Sequence, residues 1–232
     1  MSTAPIPVFD ELVTWATPDA LKPDVIAAKA EWFDKTGEVF DDDRQLELRM
    51  AAFLEHYVCD RVSPAFGMTP ARARYELALK TETPERALTF RAFTETIHSL
   101  FEVRRLTTGT ARLRALFSQV DIDVVERRHL VGLSVGDVLE IRLVPSPRGF
   151  HFLPSYCWHP KAAGPLIRQE AERRRKSGAP ELDLIWDAAL RSLKVERYRQ
   201  IAVEKIYDFS NKTNPTPTGR GAKKAGPPPP QT

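Results

Sequence analysis

A chain of 232 residues that is 42% hydrophobic and 28% charged has the balance of an ordinary globular protein, with enough length to bury a core without disulfides or metal. Its two cysteines, Cys59 and Cys157, are too few for a disulfide framework and read as buried, reduced thiols. Met1–Val13 lacks the basic start and apolar run of a leader, and no stretch approaches the ~18 apolar residues of a membrane span, so the expectation is a soluble, cytoplasmic protein with no membrane contact.

The first 43 residues hold ten Asp or Glu against three Lys, so the net charge of +3 conceals a head of −7 and a remainder of +10. Such a head can neutralise the basic part, or leave it free to attract an acidic partner. Pro5, Pro7, Pro18 and Pro23 predict a partly extended lead segment, with Phe9, Leu12, Val13 and Trp15 docked on the body. Asp24 is placed to cap a short helix running to about Lys35, which Gly37 ends. Asp41-Asp42-Asp43 reads as a carboxylate cluster that caps a helix and complements its dipole, rather than as a metal site. The helix it opens is predicted over 44–61, with Leu46, Met50, Phe53, Leu54, Tyr57 and Val58 on one face. Thr69-Pro70 and Thr83-Pro84 repeat one start signal, an N-cap threonine followed by proline at the first helical position, and predict helices over about 70–80 and 84–98.

From Ser99 the apolar spacing changes from helical to alternating. Leu100–Val103, Leu113–Phe117, Val120–Val124, Val138–Val144 and Phe150–Leu153 predict four to five short strands over 99–155, an antiparallel meander able to curl into a small barrel. After Pro160 the helical spacing returns. Helices are predicted over about 161–176 and 180–208, the second with Leu184, Ile185, Ala188, Leu193, Tyr198, Ile201 and Ile206 as its apolar stripe. Residues 209–232 hold Lys212, Arg220, Lys223, Lys224 and Pro227–Pro230 with no acid, and are predicted to form a disordered basic tail.

Motifs that carry chemistry are scarce. Cys157-x-His159 with His151 does not have zinc-ligand spacing and reads as a packed thiol with two imidazoles. His56 and Cys59 are neighbours on one helix, but at its C-terminal end, where the dipole disfavours a thiolate. No phosphate loop, nucleophile elbow or dinucleotide fingerprint is present. The sequence therefore assigns no catalytic, cofactor-binding or metal-binding residue and no cofactor. Contacts to nucleic acid or another acidic partner have more candidates: Arg112, Arg114, Arg142 and Arg148 on the strands, Trp158, the run Arg173, Arg174, Arg175 and Lys176, and Lys223 and Lys224 in the tail. Against them, 99–155 holds six acids beside its eight arginines, a mixed face that cross-strand ion pairs explain. Arg173–Lys176 also suits the last turn of a helix closed by Gly178.

The order Ser99-Leu100-Phe101-Glu102-Val103, Gly136-Asp137-Val138-Leu139, Arg142-Leu143-Val144-Pro145 and His159-Pro160 resembles a domain of uncharacterised bacterial proteins, some of which carry a zinc-binding SEC-C module. The resemblance covers about residues 44–170 and implies a helical region before a short β unit in the bacterial cytoplasm. It implies no catalytic residue, and because the Cys-rich module is missing here it implies no zinc.

These readings give an α+β fold with five parts: an acidic lead (1–43), a helical region (44–98), a small antiparallel β unit (99–155), C-terminal helices (156–208) and a basic tail (209–232). The core is predicted to include Leu46, Met50, Phe53, Leu54, Tyr57, Leu100, Phe101, Val103, Leu113, Ile122, Val124, Val138, Ile141, Leu143, Leu184, Ile185 and Ile201. The function expected is that of a non-enzymatic binding or regulatory protein that contacts another protein. The alternative is a nucleic-acid binder using the arginine and aromatic β surface and the tail.

Overall fold

The computed structural model describes residues 5–125 and 132–210. Arg127 and Arg128 lie outside the described residues, as does the tail with Lys212, Arg220, Lys223, Lys224 and Pro227–Pro230. The fold is α+β. Eight helices among the described residues surround a closed five-stranded barrel.

The lead segment is helical rather than extended. Helix α1 (Pro5–Ala16) keeps both early prolines inside its first turn, where no backbone N–H is required, and buries Val8, Phe9, Leu12 and Ala16 along one face. Helix α2 (Lys22–Thr36) buries Trp32 and Phe33 and ends at Gly37, whose φ of 90° turns the chain while its N–H donates to the Phe33 carbonyl at 2.8 Å. Helix α3 (Leu46–Cys59) has no side-chain cap, so the aspartate run does not cap it. Asp43 instead accepts the Phe40 N–H at 2.8 Å and the Arg197 guanidinium at 2.6 Å, closing the preceding turn and tying it to the end of another helix. Helices α4 (Pro70–Thr81) and α5 (Pro84–Arg91) start as the sequence predicts: the hydroxyls of Thr69 and Thr83 accept the N–H groups of Arg72 and Arg86. Helix α5 is shorter than predicted. A 3-10 turn over Ala92–Thr94 follows it, and the first strand opens at Ile97.

The strands are β1 (Ile97–Thr107), β2 (Thr110–Ala115), β3 (Asp121–Val125), β4 (Val138–Ser146) and β5 (Gly149–Trp158). Their order, β1-β2-β3-β5-β4, is not a meander: β5 lies between β3 and β4, and its pairing with β3 at Val124 and Phe150 is parallel. β1 pairs along its first half with β4 and along its second with β2, across a bulge between Val103 and Arg105. The result is a closed five-stranded barrel of mixed pairing, in which β4 returns beside β1 in Greek-key order. Its interior holds Phe101, Val103, Leu113, Val124, Leu139, Ile141, Leu143 and Phe152.

The chain then forms α6 (Gly164–Ser177), α7 (Glu181–Arg197) and a single turn, α8 (Val203–Ile206). The long final helix predicted to 208 thus breaks at Tyr198. Beyond the break Ile201 is 41% exposed and leaves the core, while Ile206 and Tyr207 enter it. Two further clusters flank the barrel. One joins α1–α5 to the outward-facing Val144 and Leu153, and the other joins α6–α8 to Leu100, Leu116 and Val138.

Candidate functional site

The two outer clusters meet along the outer surface of β4 and β5, and a polar seam runs between them. Strand β4 reads Val-Leu-Glu-Ile-Arg-Leu-Val and is buried on both faces. Leu139, Ile141 and Leu143 fill the barrel, so by the two-residue period Val138, Glu140, Arg142 and Val144 turn outward beneath the helices. The register places Glu140 opposite Cys157, and His159, two residues on, falls on the same side as Cys157.

Arg142 is 1% exposed. It donates to Asp60 at 3.0 Å and to Thr96 at 2.9 Å, and lies 3.7 Å from Glu55 of α3. Glu55 also accepts the Ser155 N–H at 2.8 Å. Burial raises the Glu55 carboxyl to about 7, outweighing the attraction of Arg142. Asp60 goes the other way: burial would raise it, but the His56 hydrogen bond and Arg142 together hold it well below the usual carboxylate range.

At the other end of the seam, Glu140, Cys157 and His159 bring one ligand atom each within 4.8 Å of one another. A second group holds each side chain. His98 Nε2 meets Glu140 Oε1 at 3.2 Å, the Cys157 thiol donates to the Ser192 hydroxyl at 3.1 Å, and His159 Nδ1 meets the Tyr207 hydroxyl at 2.8 Å. Glu140 Oε2 and His159 Nε2 are buried with no hydrogen-bond partner. Burial pushes the Cys157 thiol up to about 12 and holds the His159 imidazole down at about 4, so both are neutral at pH 7. A cavity of about 30 Å³ adjoins Glu140 and Cys157 and has room for a water molecule. Among the described residues, these three are the ones grouped closely enough to hold a metal ion. His151, the third member of the sequence-level cluster, pairs with Val144 further back along β5 and takes no part. Cys59, the other free thiol, is likewise pushed up to about 12 by burial, so the His56–Cys59 pair holds no thiolate.

The cationic candidates divide. Arg142 is a correction: it lies in the seam and presents nothing to a surface partner. Arg112 pairs through two hydrogen bonds with Asp123, and Arg114 with Asp121, across the outer face of β2 and β3. Arg173 and Arg174 both bind Glu170, Arg174 also binds Asp187, and Lys176 pairs with Glu172. Arg148, at the tip of the β4–β5 hairpin, and Arg175 have no ion pair among the described residues. Trp158 is 44% exposed at the end of β5, its ring 5.7 Å from that of Tyr156. No one surface gathers these groups.

Glu140, Glu55 and His98 were not singled out from the sequence. The available signal was two charged residues, Glu140 and Arg142, at alternate positions of an otherwise apolar strand, which marks a strand buried on both faces with a polar strip on one. No protein-family model, no curated protein and no solved structure significantly matches this chain. No described helix is long and apolar enough to cross a membrane.

Proposed function

We propose that this is a non-enzymatic binding protein of the cytoplasm that acts through contacts with a protein partner. The observation that carries the reading is the placement of exposed apolar side chains. Leu77 and Leu79 of α4 and Leu88 of the adjoining α5 are 39%, 57% and 55% exposed, and Ile26 and Val62 lie uncovered in the same helical half. Large apolar side chains left uncovered on neighbouring helices are candidate points of contact for another protein.

The test compares capture of proteins from a lysate of the source organism by the full chain and by a Leu79→Asp, Leu88→Asp variant, with folding checked by circular dichroism. A protein retained by the first and lost by the second is expected. Equal capture by both removes α4 and α5 from the reading.

A second reading, single-stranded nucleic acid on the barrel, is favoured by the Greek-key topology and the exposed Trp158. OB-folds bind oligonucleotides on the face of their second and third strands. Here that face is a lattice of Arg–Asp pairs, and β2 and β3 contain no aromatic residue for stacking. Titration of labelled DNA and RNA across a salt series decides. Binding at micromolar concentration with a clear negative salt slope would replace the protein-partner reading; no binding at low salt is the result expected.

A further inference from the structure

We infer that Glu140, Cys157 and His159 form a site for one divalent transition-metal ion of the zinc type. A thiolate, an imidazole and a carboxylate are the three donor types zinc takes from proteins, and three protein ligands with a water in the fourth position make a recognised zinc geometry. The cavity beside Glu140 and Cys157 supplies room for that water. With Zn–S about 2.3 Å and Zn–N about 2.0 Å, donors on one ion stand about 3.5–4 Å apart, so a cluster within 4.8 Å needs to close by less than ~1.5 Å.

Each donor is oriented by an outer group on a different element: His98 of β1 on Glu140, Ser192 of α7 on Cys157, and Tyr207, just after α8, on His159. Such outer-shell bonds are the usual supports of metal ligands. They consume Glu140 Oε1 and His159 Nδ1 and leave Glu140 Oε2 and His159 Nε2 buried without a partner. Two orphaned polar atoms beside a thiol are unfavourable in a protein interior, and a dication satisfies all three groups at once. In the tautomer whose Nδ1 donates to the Tyr207 hydroxyl, Nε2 carries the lone pair a metal needs. As the Zn–S bond forms, the S–H bond breaks and its proton leaves to solvent. The Ser192 hydroxyl then rotates to donate to the thiolate, and carboxylate and thiolate together offset the charge of the ion and of the buried Arg49 guanidinium that shares the cavity with Cys157 and Glu140.

The test uses the full chain, stripped with a chelator and shown folded by circular dichroism, then titrated with ZnCl2 or CoCl2 alone. Expected are uptake of one equivalent and, with cobalt, a thiolate-to-metal charge-transfer band. The band is retained in Cys59→Ser and lost in Cys157→Ser. Ser192→Ala weakens zinc binding about tenfold, and His159→Gln weakens it by more than about 100-fold. Absence of the cobalt band in the unaltered chain overturns the site without recourse to any variant. So does a band that persists in Cys157→Ser, or one lost in Cys59→Ser.

Discussion

Arg142 shows what a single buried charge does here. Its guanidinium replaces lost water with Asp60, Thr96 and the nearby Glu55, so removing it strands the buried Glu55, while the partly exposed Asp60 keeps His56. Arg142→Met is expected to cost about 3–5 kcal/mol in urea denaturation, the range for breaking a buried pair from one side. The two carboxylates then predict opposite pH dependences. Glu55 holds its proton to about pH 7 in the folded chain, against an ordinary 4.5. Its contribution to stability is therefore fully present below about pH 4.5 and is lost as pH rises through about 7. Asp60 is depressed, so its contribution is present above its ordinary 3.8 and is lost as pH falls through its lower folded value. Glu55→Gln removes the first effect and leaves the second. Between about pH 4 and pH 8 the unaltered chain should lose stability relative to Glu55→Gln by roughly 3 kcal/mol, read from urea midpoints at each pH. A difference that does not change with pH would show that Glu55 titrates normally.

At the scale of elements, the turns carry a sharper prediction than the helices. Gly37 ends α2 with φ at 90°, and a Cβ built there would stand 2.8 Å from Leu190 Cδ1 and 3.0 Å from Leu193 Cδ2 of α7. Gly178 ends α6 with φ at 71° but faces open space. Gly37→Ala should therefore destabilise by about 1–3 kcal/mol for backbone strain plus the displacement of two leucines, and Gly178→Ala by the strain alone, about 1–2 kcal/mol. Equal thermal shifts for the two would mean that α7 gives way freely. Elements of this kind were readable in advance where the signal was local. Thr69-Pro70 and Thr83-Pro84 mark helix starts because cap and first turn are set within four residues. Signals with two meanings misled. Prolines at 5 and 7 suit extended chain or a first helical turn, and only packing of Phe9 and Leu12 decides for the helix. Asp43 suits a helix cap or a distant arginine, and the arginine lies 154 residues away. The parallel pairing of β5 with β3 left no local trace, since strand order is a property of the closed barrel. The site was half legible. Cys157 near the end of β5 and His159 just past it stand two apart and fall on the same side, but their meeting with Glu140 depends on register across β4 and β5.

At the scale of the whole molecule, β4 belongs to three cores at once. Val144 packs with α1–α5, Val138 with α6–α8, and Leu139, Ile141 and Leu143 fill the barrel between them. A strand shared in this way cannot leave one core without opening the others, so the helical half and the barrel are expected to unfold together despite differing secondary structure. Tryptophans at the two ends make this measurable. Trp15 stacks on Phe66 at 5.0 Å within the helical half, and Trp158 stands at the end of β5. Variants keeping only one of the four tryptophans, Trp15 in one chain and Trp158 in the other, should each be compared with far-ultraviolet circular dichroism of the same chain. Fluorescence and dichroism are expected to give one urea midpoint in both chains. Leu143→Ala, which opens a cavity inside the barrel and costs about 2–5 kcal/mol, should lower the Trp15 midpoint as far as the Trp158 midpoint. A Trp15 transition left in place while the Trp158 transition moves would separate the two halves into independent folding units, with the polar seam as a docking surface between them instead of a shared interior.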